Sequence, residues 1–373
     1  MKLAFYIPSL RTGGAEYVAI ELLTYLSQQK QWEVFLLTDV KSSTLLSKIP
    51  DTVSIVDLNY SSSKNFLNKI KNLFKAIKLN KLDLIVSNIS NSNIHILLLK
   101  VFYFLPKIKV ICVEHSIPSK FLKRSRFLKD KILSKLLSVL YNKSDAVVCV
   151  SNACKLDLVN NYKVKIQKCF LVYNPINIEK IKILSQENIE YNLKKICKNR
   201  KVISTVSRLS YEKNVDFLID AIKHLSENYP DLNFVFLIVG DGLDRARLEK
   251  KVSANKLDYF VVFIGNTENP FKYVSFSDLF IFAGRLESFG NIFVEALALN
   301  KKIMTLESPG ALEILENGKY GEIMDENVLR FSQKMYDLLN QKEDLNDLLL
   351  KRALDFDSQK CFDSYKELLE KLS

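Results

Sequence analysis

The sequence predicts an α/β protein built from two doubly wound parallel-sheet domains with a cleft between them. Three observations carry this. Short apolar stretches bounded by turns alternate along the chain with stretches of helical period, the order of successive βαβ units. Near residue 200 the alternation starts over on the same strand–loop–helix plan, though the two halves show no detectable sequence repeat. And 373 residues exceed one ordinary hydrophobic core. Residues 1–177 and 178–355 are the expected domains, and residues 356–373 a terminal helix. In such open sheets ligands bind outside the carboxyl ends of the strands, so the loops after strands are where function is sought.

Composition narrows the class. Hydrophobic residues make up 48% of the chain, a globular value, and no run of 18 apolar residues suggests a spanning helix. The start, MKLAFYIPSL, reads as a strand and a turn, not as a secretory leader. Cys112, Cys149, Cys154, Cys169, Cys197 and Cys361 show no C-x-x-C and no metal-ligand spacing with the three histidines. They read as reduced thiols of a cytoplasmic protein without a metal. Charge is uneven. Residues 1–180 hold 27 Lys and Arg against 12 Asp and Glu, whereas the remainder holds 27 against 30, so the net +12 arises wholly in the first half. An anionic partner is expected there: a lipid surface, a lipid-linked phosphate or nucleic acid.

In chain order, residues 2–8 read as a strand and Gly13-Gly14 as a loop that either approaches a ligand or merely turns tightly into the helix from Ala15. Residues 33–38 and 53–58 are further strands. Residues 64–81 form a basic amphipathic helix, and 82–87 and 110–113 are strands. The last is followed by Glu114-His115-Ser116, so His115 sits where α/β sheets bind ligands; a structural histidine is the other reading. Residues 117–137, IPSKFLKRSRFLKDKILSKLL, interleave Lys120, Lys123, Arg124, Arg126, Lys129, Lys131 and Lys135 with apolar side chains. They fit a core-packed helix with a solvated basic face, or attachment to an anionic membrane and entry of a lipid-diphosphate acceptor. No recognised nucleic-acid motif accompanies this charge. Strands follow at 145–151 and 170–173, then a turn, NPIN, at 174–177. Residues 178–198 read as linker and polar helix.

The second half opens with a strand at 202–206. Arg208 and Lys213 lie in the loop behind it, and two cations there can neutralise a diphosphate: Arg as a planar fork, Lys as a point charge. Solvent exposure is the ordinary fate of either. A strand at 233–239 ends in Gly240-Asp241-Gly242, and one at 259–265 ends in Gly265. The central stretch, 277–302, then runs apolar strand (279–283), polar turn (284–288) and helix, with Gly290 at the helix start. A helix N-terminus suits an anion. Glu287 before it and Glu295 one turn inside can accept hydrogen bonds from hydroxyls. Phosphates flanked by hydroxylated rings would satisfy all of these groups, which describes a nucleotide-sugar. A strand at 303–306, the segment SPGALEIL at 308–315, a hairpin-like NGKYGEIM and helices over 325–373 complete the chain.

The motif ESFGNIFVEAL, residues 287–297, resembles the donor-site signature of the retaining GT-B glycosyltransferases, specifically glycosyltransferase family 4. The R-L-x-x-x-K spacing of Arg208 and Lys213, the G-D-G turn and the NPIN turn are similar to that family as well, more sharply after residue 200 than before. The resemblance implies two Rossmann-like domains facing across a cleft, with the last helix crossing back to the first. It implies a donor, expected to be a UDP-sugar, on the second domain and a lipid-linked or surface-glycan acceptor on the first. Residue by residue, it implies that Arg208 and Lys213 bind the diphosphate and stabilise it as it leaves. Glu287, Ser288 and the backbone of Phe289-Gly290-Asn291 hold the sugar, Glu295 the ribose, and Gly240 and Gly265 the nucleoside. His115 and Gly14, with Glu16 beside it, approach from the other domain. No metal or other cofactor is expected, and the location implied is cytoplasmic, on the inner face of the membrane. Two departures stand out: Asn300-Lys301-Lys302 replaces the family's Gly-x-Pro, and Ser288 a frequent Gly; neither removes a charged group. A GT-B sugar-nucleotide 2-epimerase and a scaffold without catalysis are the other readings.

Overall fold

The computed structural model describes the chain except for residues 11–12, 40–44, 60–65, 103–106, 124–126, 342–345 and 373. It divides into two compact units: Met1–Pro175 with Gln359–Ser373, and Ile176–Ser358.

In the first unit, β1 (Lys2–Tyr6), β2 (Glu33–Thr38), β3 (Ser54–Asp57), β4 (Leu84–Asn88), β5 (Lys109–Glu114), β6 (Ala146–Cys149) and β7 (Cys169–Leu171) form a parallel sheet in the order β3-β2-β1-β4-β5-β6-β7. Strand order reverses between β1 and β4, where Leu3 pairs with both Val34 and Leu84. The strands are continuous apolar runs because helices cover both faces. Leu3, Phe5, Leu36, Leu84, Ile111 and Val148 are essentially inaccessible to water. The helix Phe66–Asn80 buries Ile70, Leu73 and Ile77 on one stripe, while Leu67 in its first turn faces solvent. The terminal helix Ser358–Leu372 packs Cys361, Phe362, Tyr365, Leu368 and Leu369, and Phe362 stacks on Tyr25 with ring centroids 4.3 Å apart.

In the second unit, β8 (Lys201–Val206), β9 (Phe234–Val239), β10 (Val261–Gly265), β11 (Leu279–Phe282), β12 (Lys302–Leu306) and β13 (Glu322–Met324) are again parallel, in the order β10-β9-β8-β11-β12-β13. The reversal falls between β8 and β11, with Leu279 opposite Ile203. Phe234, Phe236, Phe280, Ile281 and Phe293 are fully buried. Truncating any of them to Ala would cost about 3–5 kcal/mol for Phe and about 2–5 for Ile.

Three expectations need correction. Residues 178–198, read as linker and polar helix, are two helices with a buried apolar stripe. Helices Ile178–Ser185 and Tyr191–Cys197 bury Ile178, Ile181, Leu193 and Cys197; the last two, with Ile189 from the connection between the helices, cluster with Val202, Val235 and Tyr273. Apolar residues four apart carry that stripe, and the many lysines between them hid it. NGKYGEIM makes no hairpin: β13 pairs parallel to β12, with Thr305 opposite Ile323. Residues 117–137 are not one helix. A short π-type turn, Ser119–Lys123, follows Pro118, and the regular helix is Leu128–Leu140. Phe127, at φ −77° and ψ +132°, is extended and starts the second helix afresh, while Ser119 N donates to Asp157 Oδ2 at 3.0 Å.

Candidate functional site

The second unit gathers its functional side chains on loops after β8, β9, β10 and β11. The backbone fixes these loops first. Ser207 N donates to Val239 O at 3.0 Å, Leu209 N to Asp241 O at 2.9 Å, and Gly240 N to Gly265 O at 2.9 Å. Gly240 has φ +129°, and a Cβ there would strike the Ser207 carbonyl oxygen. Only glycine lets the two loops lie this close.

The loop after β11 is then tied to the loop after β8. Arg285 N donates to Glu212 O at 3.0 Å. Arg285 Nη2 and Asn214 Nδ2 both reach Glu326 Oε1, at 2.9 and 3.0 Å. Within this frame the Lys213 ammonium forms an ion pair with Glu287 Oε1, both side chains about four-fifths buried. Lys213 also lies 5.4 Å from the centroid of Phe282. Gly310 N donates to Glu287 O at 2.9 Å, so the residue is held by its main chain too. Arg208, in the same loop as Lys213, is exposed.

Glu287 leads directly into Ser288, Phe289 and Gly290, all buried. Gly290 caps the helix Asn291–Ala298 at φ +84°, where the Phe293 ring lies against the space a side chain would need. The left-handed cap brings the start of that helix up against the Glu287 side chain. One turn in, Glu295 is half-buried, and burial pushes its carboxyl up to about 7. It can therefore accept from a hydroxyl as a carboxylate or donate when protonated. Asn300 ends the stretch at φ +54°, a conformation asparagine adopts readily.

The first unit holds a different constellation. Glu114, last residue of β5, is 1% exposed. Its Oε2 accepts from Ser90 Oγ and Tyr141 OH, each at 2.7 Å; its Oε1 accepts from Ser116 Oγ at 2.7 Å and Ser116 N at 3.2 Å. Asn93 Nδ2 backs Tyr141 OH at 2.9 Å. Burial pushes the Glu114 carboxyl up, and the hydroxyls of Ser116, Ser90 and Tyr141 pull it back. His115 follows, its Nε2 3.4 Å from Asn88 Oδ1, and burial lowers its ring to about 4. It is neutral near pH 7. Gly14 is the exposed first residue of the helix Gly14–Ser27, and the Glu16 carboxylate folds back over Gly13. Lys120 is half-buried; Arg124 and Arg126 lie outside the described residues, as do the side chains of Lys123 and Lys129.

The structure thus joins Lys213 to Glu287 and Gly240 to Gly265, and sets Ser288–Asn291 and Glu295 on one loop-helix unit. Sequence reasoning missed the Arg285–Glu326–Asn214 clamp and the Glu114 network. A Glu ending an apolar strand, followed by Ser, was the available signal for the latter; its partners Ser90 and Tyr141 lie 24 and 27 residues away.

Comparison with known proteins follows the same lines. The family model for glycosyl transferases group 1 matches residues 188–350, and that for glycosyltransferase family 4 matches residues 12–180. A Campylobacter jejuni relative, N-acetylgalactosamine-N,N'-diacetylbacillosaminyl-diphospho-undecaprenol 4-alpha-N-acetylgalactosaminyltransferase, is 29% identical over 333 residues, covering 87% of this chain and 86% of its own. Among solved structures, Anabaena HepE in complex with UDP and glucose superposes with a TM-score of 0.80 at 19% identity over 99% of both chains. A Rickettsia africae glycosyltransferase does so with 0.78 at 22% identity over 99% and 98%. The two models together span nearly the whole chain, and these similarities agree with two parallel-sheet units: the chain is a glycosyltransferase of family 4, with the GT-B fold.

Proposed function

We propose that this enzyme is a retaining transferase that moves a hexose or N-acetylhexosamine from a nucleotide-sugar, with UDP as the leaving group, to a lipid-linked or polysaccharide acceptor. The observation that carries the reading is the Lys213–Glu287 ion pair at the mouth of the Gly290-capped helix. It sets a cation, a carboxylate and a helix N-terminus within one loop system, the groups needed at a sugar–phosphate bond.

When a donor binds, Lys213 exchanges Glu287 for the diphosphate and Arg208 swings in from solvent. Together they neutralise the charge that grows on the phosphate as the bond from the sugar C1 breaks. Glu287 is released to accept from sugar hydroxyls, with the Phe289-Gly290-Asn291 backbone beside it. Glu295 accepts from the ribose, and Gly240 and Gly265 let the chain pass close to the base. The acceptor oxygen bonds to C1 on the face the phosphate leaves, and its proton passes to the departing phosphate oxygen. Two cations and a helix terminus supply the neutralisation, so turnover is expected to survive a metal chelator.

The nucleotide in HepE and the diphospho-undecaprenol acceptor named for the Campylobacter relative support UDP and a lipid-linked acceptor. The helix Leu128–Leu140 supports peripheral attachment to the inner face of the cell membrane. It exposes Leu128, Ile132 and Val139 alongside Lys131 and Lys135, and no helix among the described residues is long and apolar enough to cross a bilayer. Each lysine near an anionic surface adds about 1 kcal/mol.

The test is transfer from UDP-N-acetylgalactosamine to a synthetic undecaprenyl-diphosphate disaccharide, with the product anomer read by NMR. Retained α configuration is expected. A β product would overturn the retaining reading, and no product with any UDP-sugar would overturn the donor assignment.

A further inference from the structure

Beside the Glu114 network lies a pocket of about 220 Å³, wholly within the first unit. Its walls are apolar: Ile89, Pro118, Leu122 and Leu133. Ser90, Asn91 and Ser116 supply its polar side. We infer that this pocket is a subsite for an acetamido sugar of the acceptor glycan. The inference rests on the reading of the chain as a glycan-extending transferase and names which sugar the first unit grips.

The donor and acceptor pattern is set from beneath. Each serine hydroxyl has one proton, and both protons are committed to Glu114, Ser90 to Oε2 and Ser116 to Oε1. Tyr141 and Ser116 N supply two further donors, the surroundings of an ionised carboxylate. The serine oxygens can then only accept from a ligand, so the ligand must bring donors. Asn91, exposed at the rim, offers both an amide donor and a carbonyl.

Apolar walls next to acceptor-only oxygens match an acetamido group: the N–H donates to a serine while the methyl packs on Leu122 or Leu133. The ring's C–H face has Ile89 and Pro118 to lie on. At about 220 Å³ the pocket has room for a single sugar ring.

The backbone is held for this purpose. Ile89 has φ +72°, rare for a β-branched residue and a conformation that costs of order 1–3 kcal/mol. Its neighbours over-determine it: Ile89 N donates to Val113 O at 3.2 Å, and Asn93 N to Ile89 O at 3.0 Å. The result is a half-exposed isoleucine set at the pocket wall. Buried Glu114 has no ion pair among the described residues and is held by three hydroxyls and one backbone amide, a costly arrangement for a purely structural carboxylate.

The experiment is saturation-transfer NMR on the full chain with methyl α-N-acetylgalactosaminide and methyl α-galactoside, beside a thermal shift with UDP. The acetamido methyl is expected to show the strongest transfer, and the galactoside little. Asn91→Trp, an exposed site at the mouth, and Leu133→Trp should each weaken binding at least about tenfold, which is ~1.4 kcal/mol. The UDP shift should persist in both variants, showing an intact fold and donor site. Equal transfer to both sugars, or undiminished transfer in Asn91→Trp, would overturn the subsite while leaving the transferase reading in place. Loss of the UDP shift in the unmodified protein would instead strike the transferase reading itself.

Discussion

The two units share one plan, a parallel sheet with a strand-order reversal, yet they arm the ends of their strands in opposite ways. The second unit sets charge against charge: Lys213 on Glu287, and Arg285 on Glu326. The first sets a buried carboxylate among hydroxyls and a desolvated neutral histidine. Paired, partly accessible charges can exchange partners at modest cost, which suits a site that must take up and release a diphosphate. A carboxylate sealed among neutral donors cannot exchange, which suits a rigid mould. Disrupting the first kind of site should therefore cost activity, and disrupting the second should cost stability.

Glu287→Ala is the sharpest way to break this contrast. It should lower kcat by about 10²–10³-fold, the usual loss when a transition-state contact is removed. Its stability cost should be about 1–2 kcal/mol, below that of a sealed pair because the Lys213 side chain keeps some contact with solvent. Steady-state rates and denaturant unfolding check both halves. Near-normal turnover would remove Glu287 from the site.

Glu114→Ala should show the reverse balance. It leaves Tyr141 OH and two serine hydroxyls without their acceptor, at roughly 3 kcal/mol in total. The single tryptophan, Trp32, is buried in the first unit, so its fluorescence reports that unit's unfolding in urea. A midpoint unchanged from the parent would show that the network carries no stability.

Glu295 gives a smaller, pH-dependent effect. Hydroxyls donate to the ionised form, so donor binding should strengthen as pH rises through about 7. Below that pH, affinity should fall by up to about tenfold per unit. Glu295→Gln should flatten the profile, and calorimetric titration from pH 6 to 8 measures it. The same raised carboxyl lowers stability as pH climbs from 4.5 toward 7, since the unfolded chain ionises first, and Glu295→Gln should remove that slope.

The smallest expected effect is an absence. His115 titrates near 4, so its ring should show no protonation step between pH 6 and 8 by NMR. The sign for stability follows. As pH falls below 6.5 the unfolded imidazole binds a proton that the folded one refuses, and stability declines until about 4. His95 adds in the same direction. A His115 step near 6.5 would show that the ring is solvated.

How far each unit could be read from sequence follows from the same contrast. The second unit's site is local: Glu287, Gly290 and Glu295 fall within nine residues, and Arg208 and Lys213 within six. Spacing alone displayed them, because side chains this near in sequence stay near in the fold. Glu114 meets Ser90 and Tyr141 only through the register of β4 with β5 and the packing of the helix Leu128–Leu140, which no local pattern encodes. Strand positions were legible because parallel strands buried on both faces read as apolar runs. Over 178–198 only a linker and one polar helix were legible, because polar and charged residues outnumber the apolar ones that anchor the two helices. The break at extended Phe127 was masked by an interleaving of basic and apolar residues that continues through it in sequence.

The most direct test of the central claim is thermal stability of the purified protein against UDP-, GDP-, ADP- and dTDP-sugars, repeated on Lys213→Ala and Arg208→Ala. Binding to the folded state raises the midpoint by mass action. The account predicts a rise with UDP-sugars that both substitutions abolish. No rise with any nucleotide-sugar, or a rise that survives both substitutions, would contradict the assignment of the second unit's charged loops as the donor site.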